Sequence, residues 1–335
     1  MSERKGVLAA GSWIVDHVKM IDVYPGENAL ALISAESPGN GGGAYNMVKD
    51  LALMGAGFPL YGAGLVGDDA DGHRILEDCS AHGIDATRLT TSDRAMTSYT
   101  DVMTVTSSGK RTFFHHTGAN AILREEDVHL DGCPARFFFL GYLLLLDALD
   151  EVAADGSTGA SRLLQRASDA GFETMIDLVS SQAGNFREVV TPALRQVDYM
   201  FLNEFEAGSL LGREIPEDDP AALLDAATAV LDLGVRKLVI LHSAKGGVMA
   251  GADGTRASHA SVQFPEEEIK GAAGAGDAFA VGVTYGLHEG LSAEECLRTG
   301  VCLAASNLRD ATCSGGILPR DEALALGEEY GFREW

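Results

Sequence analysis

The stretch of this chain best equipped for chemistry is Gly271-Ala272-Ala273-Gly274-Ala275-Gly276-Asp277-Ala278-Phe279, one carboxylate set in glycine and alanine. Gly274 and Gly276 permit backbone angles that other residues resist, and with Ala275 they leave peptide N–H groups uncovered by side chains. From Asp277 to Leu287 the residues are nearly all apolar or small, which predicts a helix buried on most of its circumference. A helix N-terminus carries unpaired donors and a partial positive charge, so the loop is a ready anion site. In that field Asp277 reads in two ways, as a proton acceptor beside a phosphate or as an ordinary N-cap.

Further polar groups sit where strands are expected to end. Asp16 follows a short apolar run and is placed to hold a ligand hydroxyl or to close a turn. Gly41-Gly42-Gly43-Ala44-Tyr45-Asn46 opens a helix running to about Met54, so its backbone must come close to something. A dinucleotide fingerprint would follow a strand directly, and Ser37-Pro38 reads instead as a loop. Asn203, Glu204 and Glu206 lie at another strand end, and His242 to Gly247 at the next. Trp13, Tyr45, Tyr99, Phe113, Phe114, His115 and His116 are aromatic candidates for a substrate wall or for packing. Lys245, Lys270 and Arg111 are candidate phosphate partners or solvated surface charges.

The elements that must position these groups alternate. Strands are expected at Val7 to Ala10, Pro59 to Leu65, Phe137 to Leu140, Thr174 to Leu178, Tyr199 to Leu202 and Lys237 to Leu241. Helices are expected at Asp69 to His82, Ser161 to Ala170, Phe186 to Leu194, Glu204 to Leu211 and Ala221 to Leu233. This is the pattern of a parallel sheet covered on both faces, which binds ligands at the carboxyl ends of its strands. Ala95 to Thr106 and Thr112 to His116 read as a hairpin with one wet face. Val248-Met249 and His259 to Phe264 read as antiparallel strands, and Ser292 with Glu295 as a capping box before a helix that stops near Gly315-Gly316. Trp335 and its neighbours carry no signal.

Composition narrows the function. A chain of 335 residues with 46% hydrophobic and 22% charged residues is globular. Its 49 acidic and 25 basic residues give a net charge of −24, which disfavours nucleic acid and anionic membranes as partners. A nucleotide remains compatible, because local amides and a divalent cation outweigh the overall field. Five cysteines without C-x-x-C spacing argue against zinc and a disulfide framework and fit a reducing cytoplasm. The N-terminus lacks a signal-peptide core, and the longest apolar run, Phe137 to Leu146, falls well short of the ~20 residues of a membrane span.

Three motifs in order then give the chain a family likeness: Gly41-Gly42-Gly43-Ala44-Tyr45-Asn46, Asn203-Glu204-Phe205-Glu206, and Gly274-Ala275-Gly276-Asp277-Ala278-Phe279. The chain resembles the ribokinase-like (PfkB) carbohydrate kinases over essentially its whole length. The resemblance implies one α/β domain over residues 1–335, a three-layer α/β/α sandwich with a mostly parallel central sheet and a small β-sheet lid inserted at about 13–38 and 95–117. It implies phosphoryl transfer from ATP, with Asp277 as the base and the Gly274 to Asp277 loop as the anion hole, through the amides of Ala275, Gly276 and Asp277. Asn203 and Glu206 would hold Mg2+ through water. Asn203, Ser243, Lys245 and Gly246 would lie by ATP, with adenine walls in the stretch from Val301 to Asn307. Asp16, Gly42 and Asn46 would contact substrate hydroxyls, and the lid would double as a homodimer interface.

The departures from the family pattern carry information too. Gly271, Ala272 and Ala273 stand where relatives carry Asp-Thr-x, which leaves the monovalent-cation site of many relatives in question. Ser243 replaces a commoner glycine, and Gly141-Tyr142-Leu143-Leu144 lacks the carboxylate that ribose-specific relatives use. The expected activity is therefore a kinase for a hydroxyl, primary by preference, of a sugar or sugar acid other than ribose. The alternatives are a nucleoside kinase and a catalytically silent sugar or nucleotide sensor.

Overall fold

The computed structural model describes residues 4–181 and 184–335. The first three residues, on which the N-terminal reading partly rests, lie outside them. Two sheets organise the chain, and alternation along the strands explains why helices cover both faces of the larger one.

The large sheet has nine strands: β1 (Val7–Gly11), β4 (Leu60–Gly67), β5 (Asp85–Ser92), β8 (Phe137–Leu143), β9 (Glu173–Leu178), β10 (Tyr199–Asn203), β11 (Leu238–Ser243), β12 (Gly246–Gly251) and β13 (Arg256–Ala260). Their spatial order is β13-β12-β11-β10-β9-β8-β1-β4-β5. The run from β11 to β5 is parallel, while β12 and β13 add antiparallel strands at one edge. Along β1, Val7 and Ala9 face one apolar core, Leu8 and Ala10 the other. Phe137 and Phe139 of β8 join the first core, Phe138 and Leu140 the second. Period-two geometry thus divides a continuous apolar run between two layers. The first layer holds the helices Gly43–Leu53, Ala275–Glu289 and Ala293–Asn307; the second holds Gly159–Asp169, Glu204–Leu211 and Pro220–Leu231.

The segments expected to form the small sheet hold β2 (Ile14–Ile21), β3 (Ile33–Gly41), β6 (Ser98–Val105) and β7 (Arg111–His116), in the order β3-β2-β6-β7. Along β6 buried and half-buried residues alternate strictly, giving the one wet face that its sequence implied. Ser37-Pro38, read from sequence as a loop, belongs to β3 instead. Among the described residues that strand pairs only with β2, and an edge tolerates a residue without an N–H.

Several elements escaped the sequence pattern, among them one edge strand and the last helix. β5 is an edge strand rich in polar residues, with Leu89 and Ser92 its buried members. The helix Arg320–Tyr330 buries only Ala323, Leu326 and Gly327, too short a stripe to stand out. Beyond it, a bridge between Val262 and Phe332 brings the C-terminus back, and a side chain at Gly246 would meet the Trp335 ring at 2.8 Å. Trp335 therefore covers part of the turn after β11, although its sequence gave no hint of this. Among the described residues no helix is long and apolar enough to cross a membrane.

Candidate active site

Four strand ends of the large sheet, with strands of the small sheet beside them, converge on one cavity of about 520 Å³. β2 of the small sheet supplies Asp16, the end of β8 supplies Tyr142, and β9, β10 and β11 carry Asp177, Asn203 and His242 at their carboxyl ends. The helix Gly43–Leu53 adds Asn46, and the loop before Ala275–Glu289 adds Ala273, Gly274, Gly276 and Asp277.

Each glycine of the Gly41-Gly42-Gly43 run makes room for a different group. A Cβ at Gly41 would lie 2.6 Å from Asp16 Oδ1, one at Gly42 2.6 Å from the Ser12 carbonyl, and one at Gly43 2.9 Å from the Tyr142 ring. Gly42 also has φ of 87°, a left-handed value that favours glycine. Ser12 ties these segments together: its Oγ donates to the Gly141 carbonyl at 2.9 Å and accepts from Gly43 N at 2.9 Å and Tyr142 N at 3.2 Å. The close approach demanded by the glycines is thus an approach of the chain to itself, around the cavity.

The opposite wall is the glycine and alanine loop. Gly274 is the N-cap of the helix, in the left-handed region at φ 77°, and Asp277 occupies the third helical position. The N-cap reading of Asp277 is corrected accordingly. The carboxylate turns into the cavity, where Oδ1 accepts from the Tyr142 hydroxyl and Oδ2 from Asn46 Nδ2 at 3.1 Å. Asn40 Nδ2 in turn donates to Asn46 Oδ1 at 2.7 Å, fixing that amide. Burial holds the Asp277 carboxyl above its ordinary range, with the Tyr142 and Asn46 hydrogen bonds opposing the shift. Ala275 N reaches the Ala272 carbonyl at 3.3 Å, while Gly276 and Asp277 contribute first-turn N–H groups that the helix itself cannot satisfy.

Around Asp277 lie further acids. Asp16 is pushed up to about 6, chiefly by burial, despite hydrogen bonds from Cys313 and Thr100; the charge of Asp277 adds to the rise. Burial also raises Asp177 well above its usual value and raises Glu206, with Asp277 again contributing to both. No lysine or arginine lines the cavity among the described residues.

The Asn203-Glu206 pair proves to be a capping box. Glu206 N donates to Asn203 Oδ1 and Asn203 N to Glu206 Oε2, both at 2.9 Å. Ser180 completes it, its Oγ donating to Glu206 Oε1 at 2.9 Å and accepting from Asn203 Nδ2 at 2.8 Å. Spacing alone could have revealed the box.

Of the residues singled out in the sequence, the fold brings Asp16, Gly42, Asn46, Asn203, Glu206, Gly274, Gly276 and Asp277 to one cavity. Ser243, Lys245 and Gly246 lie outside it: Ser243 Oγ donates to the Glu217 carbonyl, and Lys245 lines a separate groove with Asp218, Phe264 and Trp335. Val301 and Asn307 are covered instead of forming open walls, and Asn307 Nδ2 donates to the Ala273 carbonyl at 2.6 Å, bracing the loop. Trp13 and Tyr45 are core residues, whereas Phe113 and His115 reach the cavity. Sequence reasoning placed His242 at a ligand-binding strand end but missed Tyr142 and Asp177 as wall residues. An aspartate inside the apolar run Met175-Ile176-Asp177-Leu178 was the available signal for one of them. Burial lowers His242 to about 4, so the ring beside Gly276 is a neutral donor and acceptor.

The packing at Gly41 makes a prediction. Gly41→Ala should displace the Asp16 carboxylate and raise KM about 10-fold or more, the scale of an overpacking cost of ~1–3 kcal/mol, with kcat little changed. Gly39→Ala, whose Cβ would meet nothing closer than Thr312 Cβ at 3.6 Å, should leave KM alone. Equal KM values for the two variants would show that Asp16 does not hold the substrate.

The pfkB family carbohydrate kinase profile matches residues 9–319. A ribokinase from Haemophilus influenzae is 25% identical over 327 residues, 97% of this chain and 99% of the relative, and mouse ketohexokinase is 24% identical over 308 residues, 90% and 95%. The structure of Arabidopsis thaliana ribokinase complexed with ribose and ATP superposes with a TM-score of 0.78 at 21% identity, covering 96% of this chain and 98% of that one. This chain therefore belongs to the pfkB family of carbohydrate kinases and has the ribokinase fold.

Proposed function

We propose that the protein transfers the γ-phosphoryl group of ATP to a primary hydroxyl of a neutral sugar. The observation that carries this reading is the Asp277 carboxylate, aimed into the cavity from the first turn of a helix and oriented by Tyr142 and Asn46. A desolvated carboxylate with a raised pKa is a stronger base than a free aspartate, and it stands beside N–H groups suited to phosphoryl oxygens.

In the proposed reaction Asp277 accepts the proton of the substrate hydroxyl as its oxygen bonds to the γ-phosphorus, and the bond to the ADP oxygen breaks. The first-turn amides of Ala275, Gly276 and Asp277 receive the charge that spreads over the transferring group. Asp16, with Asn46, accepts from other hydroxyls of the sugar and fixes its register. Asn203, Glu206 and Asp177 offer only oxygen donors, and the two carboxylates have no cationic partner among the described residues, so this wall fits Mg2+ held through water. The magnesium would neutralise charge on the phosphate oxygens. Ser243, Lys245 and Gly246, at the turn after β11, are the proposed nucleotide side.

The absence of lysine and arginine from the described lining argues for an uncharged substrate over a sugar acid or sugar phosphate. A nucleoside is the second reading, supported by Phe113 and His115 in the wall, whose rings offer a face to a base. The small sheet leaves Leu32, Ile33, Phe113 and Phe114 exposed, apolar surface that a second copy would cover, and we take the lid-mediated homodimer as part of the proposal. The five free thiols fit a cytoplasmic setting.

A panel of ribose, fructose, 2-keto-3-deoxygluconate and adenosine, assayed for ADP release with ATP and Mg2+, tests the reading. Turnover of a neutral sugar is expected, and ADP release only with adenosine would favour the nucleoside reading. Binding without turnover across a broader sugar panel would point to the silent sensor.

The pH profile should carry the mark of two raised carboxyls. Both must be ionised to act, so activity is present above their folded pKa values and is lost as pH falls through them. The acid limb of kcat/KM should lie near pH 6, where Asp16 takes up its proton, instead of near the ordinary aspartate value of 3.8. Asp16→Asn should remove the component that appears in KM. Full activity down to pH 4 would contradict the assignment.

A further inference from the structure

The Gly271-Ala272-Ala273 stretch lacks the side chains through which many relatives hold a monovalent cation, and the structure shows what fills the space instead. A Cβ added at Gly271 would fall on Arg111 Nη2, with Arg111 Cζ at 2.9 Å and the Asp310 carbonyl at 3.1 Å. Arg111 is the first residue of β7, so its guanidinium comes from the small sheet and reaches the segment that leads into the anion loop. Nη2 is buried with no hydrogen-bond partner, and Arg111 makes no ion pair among the described residues. The nearby acid is turned elsewhere: Asp310 Oδ1 accepts from both Thr312 N and Thr312 Oγ1 at 2.8 Å, and Asp310 forms no ion pair with Arg111 among the described residues. The same segment meets the small sheet twice more, at Gly39 against Thr312 and at Cys313 Sγ against Asp16 Oδ2 at 3.5 Å.

A monovalent cation does not fit here. Gly271, Ala272 and Ala273 offer neither carboxylate nor hydroxyl, Asn307 already uses the Ala273 carbonyl, and a guanidinium in the same space repels a second positive charge. A buried, unpaired charged nitrogen is costly unless something offsets it. The offset available is the transferring phosphoryl group, whose charge gathers at the loop that follows Gly271 by three residues. Glycine at 271 is then a requirement, since any side chain would expel the guanidinium.

We infer that Arg111 is a built-in cation, delivered by the small sheet to the Gly271 side of the anion loop in place of a monovalent metal ion. It is a positioning residue: it polarises and steadies the loop, and it makes the loop's electrostatics conditional on the small sheet being docked. This inference rests on the kinase reading of the site but does not depend on which sugar is accepted.

The test compares potassium chloride with tetramethylammonium chloride at equal ionic strength, reading both the rate and the melting temperature of the full chain. The wild-type protein should show less than about a twofold rate difference and no shift in melting temperature between the salts. Arg111→Ala should lose about 10-fold or more in kcat, less than the ~10²–10⁵ of a group in direct contact with the transferring phosphoryl because it acts through the loop, with millimolar guanidinium restoring part of the loss. The double variant Arg111→Ala, Gly271→Asp should gain a potassium-dependent rise in melting temperature, a readout that needs no turnover. Potassium activation or potassium stabilisation of the wild type would overturn the inference, as would an Arg111→Ala variant with unchanged kcat. If the wild type phosphorylates nothing, the kinase reading fails by itself, and the melting-temperature comparison still decides whether Arg111 occupies the cation's place.

Discussion

The structure depends on the placement of one desolvated carboxylate at a helix N-terminus. Asp277 is buried and its pKa raised, yet the Tyr142 hydroxyl and the Asn46 amide both donate to it, so the ionised form is oriented without being neutralised by a cation. Each donor is itself fixed. Asn46 is held by Asn40, and Tyr142 by the Ser12 hydroxyl, which also locks the glycine run to the end of β8. The end of β8, the helix Gly43–Leu53 and the helix Ala275–Glu289 therefore meet at a single carboxyl group.

That arrangement is bought at a cost in stability. Asp16 titrates at about 6 in the folded chain against 3.8 for the free side chain, so the folded state binds its proton more tightly. The sign follows from linkage: the penalty is absent below pH 3.8 and grows until the group is fully ionised above about 6. Asp177, Glu206 and Asp277 are displaced in the same direction by burial, and their charges reinforce one another. A cavity so charged favours ligands that donate hydrogen bonds or bring positive charge. This is the electrostatic basis for reading it as a site for polyhydroxylated substrates and a divalent cation.

Much of this was legible in the sequence because it was local. The Gly274 to Asp277 loop, the Gly41 to Asn46 run and the strand end at Asn203 follow from residue types and short spacing, and the alternating β and α pattern gave the layered sheet; Asp16, expected at a strand end, lies inside β2 instead. What depended on distant contact was not legible. Tyr142 became a wall residue only through its bond to a carboxylate 135 positions away. Gly271 read as a lost side chain, whereas its meaning is the room it leaves for Arg111 from another sheet. Pro38 suggested a loop because its partner strand could not be seen, and an edge strand accepts it without penalty. Val301 and Asn307, assigned by resemblance, turned out to lie under the surface, one in the core and one bracing the loop.

The central claim is that Asp277 is the base, and a single isosteric change addresses it. Kinetics of Asp277→Asn with the accepted sugar, alongside calorimetric measurement of ATP binding, separate chemistry from nucleotide affinity. The account predicts a kcat lower by at least ~10²–10⁴ with ATP affinity largely kept. Turnover within a few-fold of the wild type would contradict it.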